Sequence, residues 1–455
     1  MPLRVACQEA RPRSGRGGRW AVLAGWIANL TVGLPSSVRA ADSDLRLELE
    51  SAVYAYAHDS REDSTRLGAS IRVEPSLRVE WTAWQLQLAA VARADNLDYV
   101  RSDKLFDAAG DQDSRITLDY GESFLSTDWG SWGLRAGKLL FAWGTADGVN
   151  PVDVLNPRDY TDIIDFEKVP VDAVSLTYYG EMATLTAVVL PGFQPSRLPS
   201  PGSRFFPAAP RTLPVDGEDV PLELELRSAK RFRPDTSGTA LPFAIKADGT
   251  LRGIDWFVSY YQGATRDGLV RAGSGVSIEA GLARVPIERV FPRQRILGGG
   301  FAGFWGRLGL RGEIAHFEDL GDQGDDYVQA VFGGDRRWPD LIGEVDVGVN
   351  VQYAIDRRRS RGRVVNQTPA PMSRVFSDNL LLRVDFELDP DTGLRFEGTL
   401  NTEDDDGFCR MEFTTRVKRA WNLTVGGDAF FGSSDGFFSQ FQRNDRIFFK
   451  VTTVF

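Results

Sequence analysis

The stretch RIFFKVTTVF, residues 446–455, decides the fold. In an extended strand, successive side chains point to opposite faces. One face would carry Ile447, Phe449, Val451, Thr453 and Phe455. The other would carry Arg446, Phe448, Lys450, Thr452 and Val454. Chain ends of soluble domains are usually poorly ordered. This segment is instead typical of a wall element with one apolar face, and we expect it to be the last strand, paired with the first strand near residues 45–58.

The same two-residue period recurs along most of the chain. At residues 345–355, apolar side chains alternate with polar ones such as Asp346, Asn350 and Gln352, which is the pattern of a half-buried strand. The pattern predicts about 18 strands: 45–58, 69–81, 84–95, 114–126, 131–143, 171–179, 183–190, 240–247, 253–262, 294–304, 307–317, 325–333, 342–355, 378–388, 393–401, 409–418, 421–431 and 445–455. Segment 223–232 is an alternative to the eighth strand, and 16 is the alternative count.

The connections between these strands alternate in length. Tight turns such as Thr82-Ala83 and Asp389–Gly393 alternate with long loops at 96–114, 144–170, 191–222, 263–293 and 357–377. This asymmetry is typical of a membrane barrel with short turns at one end and long loops at the other. The Pro- and Ser-rich segment 191–214 is expected to be semi-extended. The alternative fold is a soluble two-sheet sandwich, which does not explain the alternation in loop length.

The charged faces of the strands indicate where water lies. Unpaired buried charge is too costly for a dry core, so the charged face must meet water and the apolar face must meet lipid. In lipid, a closed barrel satisfies every backbone hydrogen bond of its strands. We therefore predict an all-β, transmembrane, antiparallel up-and-down barrel. Barrels of 16–18 strands enclose an aqueous lumen.

Composition and the first 40 residues bear on location. The chain has 455 residues and a net charge of −10, and this acidic balance argues against nucleic acid as a partner. Five arginines precede an apolar stretch at residues 21–34, and small residues at Val38 and Ala40 fit a cleavage site. We predict a secretory signal peptide at 1–40 and one barrel domain at 41–455. Only Cys7 and Cys409 are present, so an internal disulfide is not expected in the mature chain.

The most distinctive stretch is GKLLFAWGTADGVNPVDVLNPRDYTD, residues 137–162. Two Asn-Pro pairs and two glycines impose defined turns on it. Aspartates at 147, 153, 159, 162 and 165 make it acidic, with Arg158 among them. One interpretation is a loop folded into the lumen as a constriction; the other is a surface loop. The constriction candidates are Asp147, Asp153, Arg158, Asp159 and Asp162. The twelve-residue calcium-loop pattern is missing.

A basic series follows the polar faces of the last strands. We predict that it lines the pore, at Arg383, Arg395, Arg410, Arg416, Lys418, Arg446 and Lys450. Acidic residues such as Asp385 and Glu412 lie between these cations. The two series would either create a field across the lumen or pair with each other. No ion preference follows from the pattern.

These features together resemble Gram-negative outer-membrane porin-like barrels. Within that group, the chain is similar to alginate-export-like and related porin-like proteins. The residues that carry the similarity are Arg135, Gly137, Lys138, Trp143, Gly144, Asp147, Asn156, Pro157 and Asp159. The resemblance implies passive diffusion or export of hydrophilic solutes across the outer membrane. The alternative is a non-conducting barrel with an adhesive or structural role.

The same resemblance suggests partners. Outer-membrane lipid and lipopolysaccharide would surround the barrel, and a homotrimer is compatible with its apolar outer face. The assembly machinery would recognise the terminal strand through Phe449, Val451 and Phe455. Diffusion requires no cofactor or metal, and neither His58 nor His316 has a suitably spaced serine for hydrolytic catalysis. We therefore do not expect an enzyme.

Overall fold

A computed structural model describes residues 42–60, 64–96, 116–199, 203–207, 212–215, 218–226, 241–272, 277–279, 281–321, 323–362, 367–369, 374–418, 420–432 and 436–455. The predicted signal peptide at 1–40 lies outside these residues, as does nearly all of the predicted loop at 96–114.

Eighteen strands form one closed antiparallel barrel, which confirms the predicted fold and strand count. Their bounds are β1 Asp42–Tyr56, β2 Leu67–Trp81, β3 Trp84–Asp95, β4 Ile116–Tyr120 continued by Ser123–Trp129, β5 Trp132–Leu139, β6 Val171–Tyr179, β7 Thr184–Val189, β8 Phe243–Leu251, β9 Ile254–Ala264, β10 Arg293–Trp305, β11 Leu308–Asp319, β12 Asp326–Ile342, β13 Val345–Ser360, β14 Asn379–Asp389, β15 Thr392–Asn401, β16 Asp406–Val417, β17 Trp421–Phe431 and β18 Arg446–Val454.

Each strand pairs with its neighbours in chain order, and β18 closes the barrel against β1. In this last pairing Tyr56 lies opposite Arg446 and Glu48 lies opposite Val454. The backbone of Leu47 exchanges two hydrogen bonds of 2.9 Å with that of Phe455. The predicted pairing of the first and last strands is therefore confirmed. Closure leaves no exposed sheet edge.

The two faces of the terminal strand differ as the alternation predicts. Ile447 and Phe449 expose 67% and 43% of their surface on the outer side of the wall. Arg446 and Phe448, on the inner side, are buried. Interior and exterior residues alternate along every barrel strand because the side-chain period is two. The wall therefore has an apolar outer face and a largely polar inner face.

The short turns are flanked by exposed aromatic side chains. Six tryptophans beside these turns expose between 40% and 78% of their surface: Trp81, Trp84, Trp129, Trp132, Trp305 and Trp421. Phe455 packs edge-on against Trp421, with ring centroids 6.3 Å apart. Girdles of aromatic residues at the membrane interfaces are a general feature of transmembrane barrels.

The long loops at the opposite end carry a sheet of their own. Glu218–Leu226 pairs in parallel with Leu282–Val290, which also pairs with Leu269–Ala272. Thr212–Val215, Ser277–Glu279 and Gln367–Pro369 complete this sheet. Residues 218–226 thus belong to a loop, and the eighth barrel strand is Phe243–Leu251. The alternative at 223–232 begins in this loop sheet, and its residues 227–232 lie outside the described residues.

One helix is present among the described residues, a single 3₁₀ segment at Ser439–Asn444 between β17 and β18. No helix in the described part of the chain has the length and apolar character needed to cross a membrane.

Candidate functional site

The loop between β5 and β6, residues 140–170, lies inside the barrel. It contacts Glu313 on β11, Gln352 on β13 and Arg446 on β18. It also contacts Arg93 on β3. Strands so far apart around a closed wall face one another only across its interior. We call residues 140–170 the inner loop.

The first part of the inner loop is anchored to β11. The backbone N–H groups of Thr145 and Ala146 donate to the carboxylate of Glu313, the second at 2.7 Å. Gly144, just before them, has φ of +113°, and a Cβ there would lie 2.6 Å from Asn150 and 2.8 Å from Glu313. Only glycine fits this backbone angle and close approach without strain.

The base of the inner loop is held by Asn156. Its side-chain oxygen accepts from the N–H of Phe141 at 2.8 Å. Its side-chain nitrogen donates to the carbonyls of Leu139 and Val169, at 3.0 and 2.9 Å. These bonds join the two ends of the loop, so an Asn-Pro pair noted in the sequence sets the turn from which the loop enters the lumen.

Asp147 and Asp153, two of the constriction candidates, pair with cations in different parts of the structure. Asp147 accepts from Arg311 on β11 at 2.7 Å and from Asn350 on β13 at 2.5 Å. Asp153 is buried and pairs with Lys168 at the other end of the loop. Arg158 lies 3.9 Å from Asp153. Asp147 thus contacts the barrel wall. Asp153 and Arg158 instead take part in contacts within the inner loop.

Asp159 is buried at the junction of the inner loop with two other parts of the chain. It accepts from Arg93 on β3 at 3.2 Å and from Arg197, in the loop after β7, at 3.1 Å. The Thr161 hydroxyl donates to it at 2.7 Å. Burial alone would raise the pKa of Asp159, but the two guanidinium groups lower it below its ordinary value. Asp159 is therefore ionised at neutral pH.

Asp162 and Asp165 join the inner loop to the last strands. Arg446 donates to Asp162 at 2.7 Å and to Asp165 at 3.2 Å. Arg410 and Lys450 also donate to Asp165, at 2.6 and 3.0 Å. Burial raises the pKa of Asp165, but the three cations together hold it far below its ordinary value. We call this group the β18 clamp.

The predicted basic series therefore divides into three groups. Arg410, Arg446 and Lys450 belong to the β18 clamp. Arg383 and Arg395 pair with Asp385 on the wall, at 3.1 and 2.6 Å. Arg416 is half-exposed and lies 3.6 Å from Asp391 in a short turn, and Lys418 lies in the next short turn with φ of +52°. The series does not form one continuous basic lining.

A hydrophobic cluster lies beside the β18 clamp. Tyr160 and Ile163 of the inner loop pack with Phe205, Phe430 and Phe441. Phe205 and Phe441 are among the largest fully buried side chains of the described residues. Segment 191–214, which is predicted to be semi-extended, contributes Phe205 to this cluster. The cluster and the clamp together attach the inner loop to β16–β18 and to the segment between β17 and β18.

The interior is open beside β1–β4, the strands next to β18 in the closed wall. A cavity of about 280 Å³ lies between the inner loop and strands β1–β4. The charged residues lining it are Arg46, Glu48, Arg72, Glu74, Arg93, Asp119, Glu122, Asp159, Glu167, Lys168 and Arg197. Of these, only Asp159 is a sequence-predicted site residue. The alternating polar faces of β2 and β3 could have identified Arg72 and Arg93, whereas Glu167 and Arg197 carry no local signal.

No protein-family model and no curated relative matches this sequence. Among solved structures, a BenF-like porin from Pseudomonas fluorescens Pf-5 superposes with a TM-score of 0.50 and 10% identity, over 91% of this chain and 98% of that chain. OccK9 (OpdG) from Pseudomonas aeruginosa gives a TM-score of 0.48 and 12% identity over 91% and 98%. OpdK, an outer membrane protein from the same species, gives 0.46 and 11% over 90% and 98%. The fold is that of a porin-like barrel.

Proposed function

We propose that this protein is an outer-membrane channel through which hydrophilic solutes diffuse passively, with the inner loop as its constriction. The observation that carries this proposal is the position of the inner loop, which crosses the interior and leaves a charged cavity open beside β1–β4. Water and polar solutes enter a charged cavity, because its groups hydrogen-bond with them. Diffusion in either direction, including export, uses the same path.

The outward face supports the membrane location. Leu45, Ile71, Leu88 and Phe449 expose between 40% and 47% of their surface on strands that also carry charged inner faces. An exposed apolar surface of this extent is expected when lipid surrounds the barrel. Lipid and lipopolysaccharide are then the direct partners of the barrel.

The terminal strand supports recognition by the assembly machinery. Phe449 and Phe455 lie exposed on the outer face of β18, and Val451 lies between them on the same face. We propose that the assembly machinery recognises these three side chains before the barrel closes. The apolar outer face would also serve as the contact surface between the subunits of a homotrimer.

Planar-bilayer recording of the purified full chain tests the channel. Discrete conductance steps are the expected result. A folded barrel that inserts but gives no steps would overturn the channel and favour the adhesive or structural alternative. Folding is checked independently by β-sheet circular dichroism, so that a missing conductance is not confused with a missing barrel.

A further inference from the structure

The open cavity combines many charges with a nearly complete pairing of those charges. Arg72 and Arg93 both donate to Glu167, and Arg72 also pairs with Glu74 at 2.7 Å. Arg197 pairs with Asp119 at 2.7 Å and with Asp159 at 3.1 Å.

The rest of the lining is paired in the same way. Arg46 lies 3.1 Å from Glu48. Glu122 is paired from just outside the cavity by Arg135, at 2.9 Å. Lys168 is paired by Asp153. Within the described residues, every charged side chain that lines the cavity therefore has an oppositely charged partner.

The charges of this network also cancel as a sum. The cavity itself carries five cations and six anions. Arg135 and Asp153 add one of each sign, and Arg158, 3.9 Å from Asp153, adds the remaining cation. A net-neutral, paired lining presents local donors and acceptors, but it gives no long-range attraction to ions of either sign.

We propose that the channel favours uncharged, polyhydroxylated solutes and that Glu167 sets this preference. This inference rests on the proposed function. An ion that enters the paired lining loses water without meeting a compensating net charge. A hydroxyl group both donates and accepts, so a sugar-like solute can exchange hydrogen bonds with carboxylates and guanidinium groups along the path.

Glu167 is the specificity-determining residue because, among the described carboxylates that line the cavity, it is the one that pairs with arginines of two strands. Its side chain is 40% exposed, and those of Arg72 and Arg93 are 28% and 30% exposed. All three therefore face the open lumen. Removing the charge of Glu167 would leave Arg93 with buried Asp159 and Arg72 with Glu74, so that one positive charge in the lining is no longer cancelled.

The first experiment measures ion selectivity in planar bilayers under a potassium chloride gradient. The wild-type reversal potential is expected close to zero. Glu167→Gln should shift it toward anion selectivity, and Arg72→Gln should shift it in the opposite direction. Asp59→Asn, which removes the exposed Arg66–Asp59 pair outside the cavity, should leave it unchanged. A strongly selective wild type, or two cavity variants without opposite shifts, would overturn the inference.

The second experiment measures solute flux into liposomes that contain the wild-type protein. An uncharged disaccharide should enter faster than a sugar acid and an amino sugar of similar size. Faster entry of either charged solute would overturn the inference while leaving the channel intact. Absence of any conductance or flux would instead overturn the proposed function itself, so the two failures are distinguishable.

Discussion

Arg446 on the last strand donates a 2.7 Å hydrogen bond to Asp162 of the inner loop, across 284 positions of sequence. The Arg446 side chain has no exposed surface, and it also donates to Asp428 on β17 at 2.6 Å. One guanidinium group thus connects the barrel wall to the inner loop, which we propose narrows the pore.

We expect Arg446→Gln to release the inner loop from β18. Removing one partner of a buried ion pair typically costs about 3–5 kcal/mol, because the other charge stays buried. Single channels of the variant should show larger and noisier conductance, and the barrel should unfold at lower temperature. The control is Arg416→Gln, since Arg416 is half-exposed and does not contact the loop. Equal conductance in both variants would contradict a clamping role.

Gly144→Ala should displace the start of the inner loop. A side chain at φ of +113° is strained, on the order of 1–3 kcal/mol, and this Cβ would also press on Glu313. We expect altered conductance with the barrel intact by circular dichroism. Gly343→Ala is the matched control, because Gly343 also has positive φ, +66°, but lies in a short turn with open space around it. If both variants behave alike, the close contact with Glu313 is not what holds the loop.

The attachment of the inner loop through Asp159 and Asp165 should persist in mild acid. The pKa values of Asp159 and Asp165 are lowered in the folded protein, whereas an unfolded aspartate has a pKa of about 3.9. Their contribution to stability is therefore fully present above about pH 4 and is lost as the pH falls through the lower folded values. Conductance measured from pH 7 down to about pH 5 should stay constant. A loop-opening transition within that range would contradict the paired arrangement.

Replacing Asp147, Asp153 and Asp159 together by asparagine should favour anions. The change removes three negative charges and leaves their partners Arg311, Lys168 and Arg197 in place. The reversal potential under a salt gradient should shift accordingly. Asp59→Asn again provides a control outside the lumen. An unshifted potential in the triple variant would mean that these loop charges lie away from the conducting path.

The wall was predictable because its signal is local. Alternation along Val345–Ser360 or Arg446–Val454 needs no knowledge of any other segment. All 18 strands are located by the pattern, but several boundaries differ. The fifth strand ends at Leu139 and not at residue 143, the twelfth extends to Ile342 and not to residue 333, and Lys418 lies in a turn and not on β16. The alternation is interrupted once in β4, where Ala90 lies opposite Tyr120 but Gln87 lies opposite Phe124. Between these two pairs, β4 has one residue more than its partner β3. This extra residue is a β-bulge in β4.

The lumen was less predictable because its contacts are long-range. The sequence shows that Asp162 is acidic and Arg446 is basic, but not that they meet. Phe205 lies in a Pro- and Ser-rich segment that looks extended, and its burial depends on Phe441 near the other end of the chain. Arg197 and Glu167 gain their roles only from the folded positions of Asp119 and Arg72.

The β18 clamp also imposes an order of assembly. Arg446 and Lys450, two of its three cations, belong to the strand that closes the barrel against β1. The inner loop is therefore fully attached only when β18 lies in place beside it. If the inner loop is the constriction, as we propose, the placement of β18 is also the step that fixes the width of the pore.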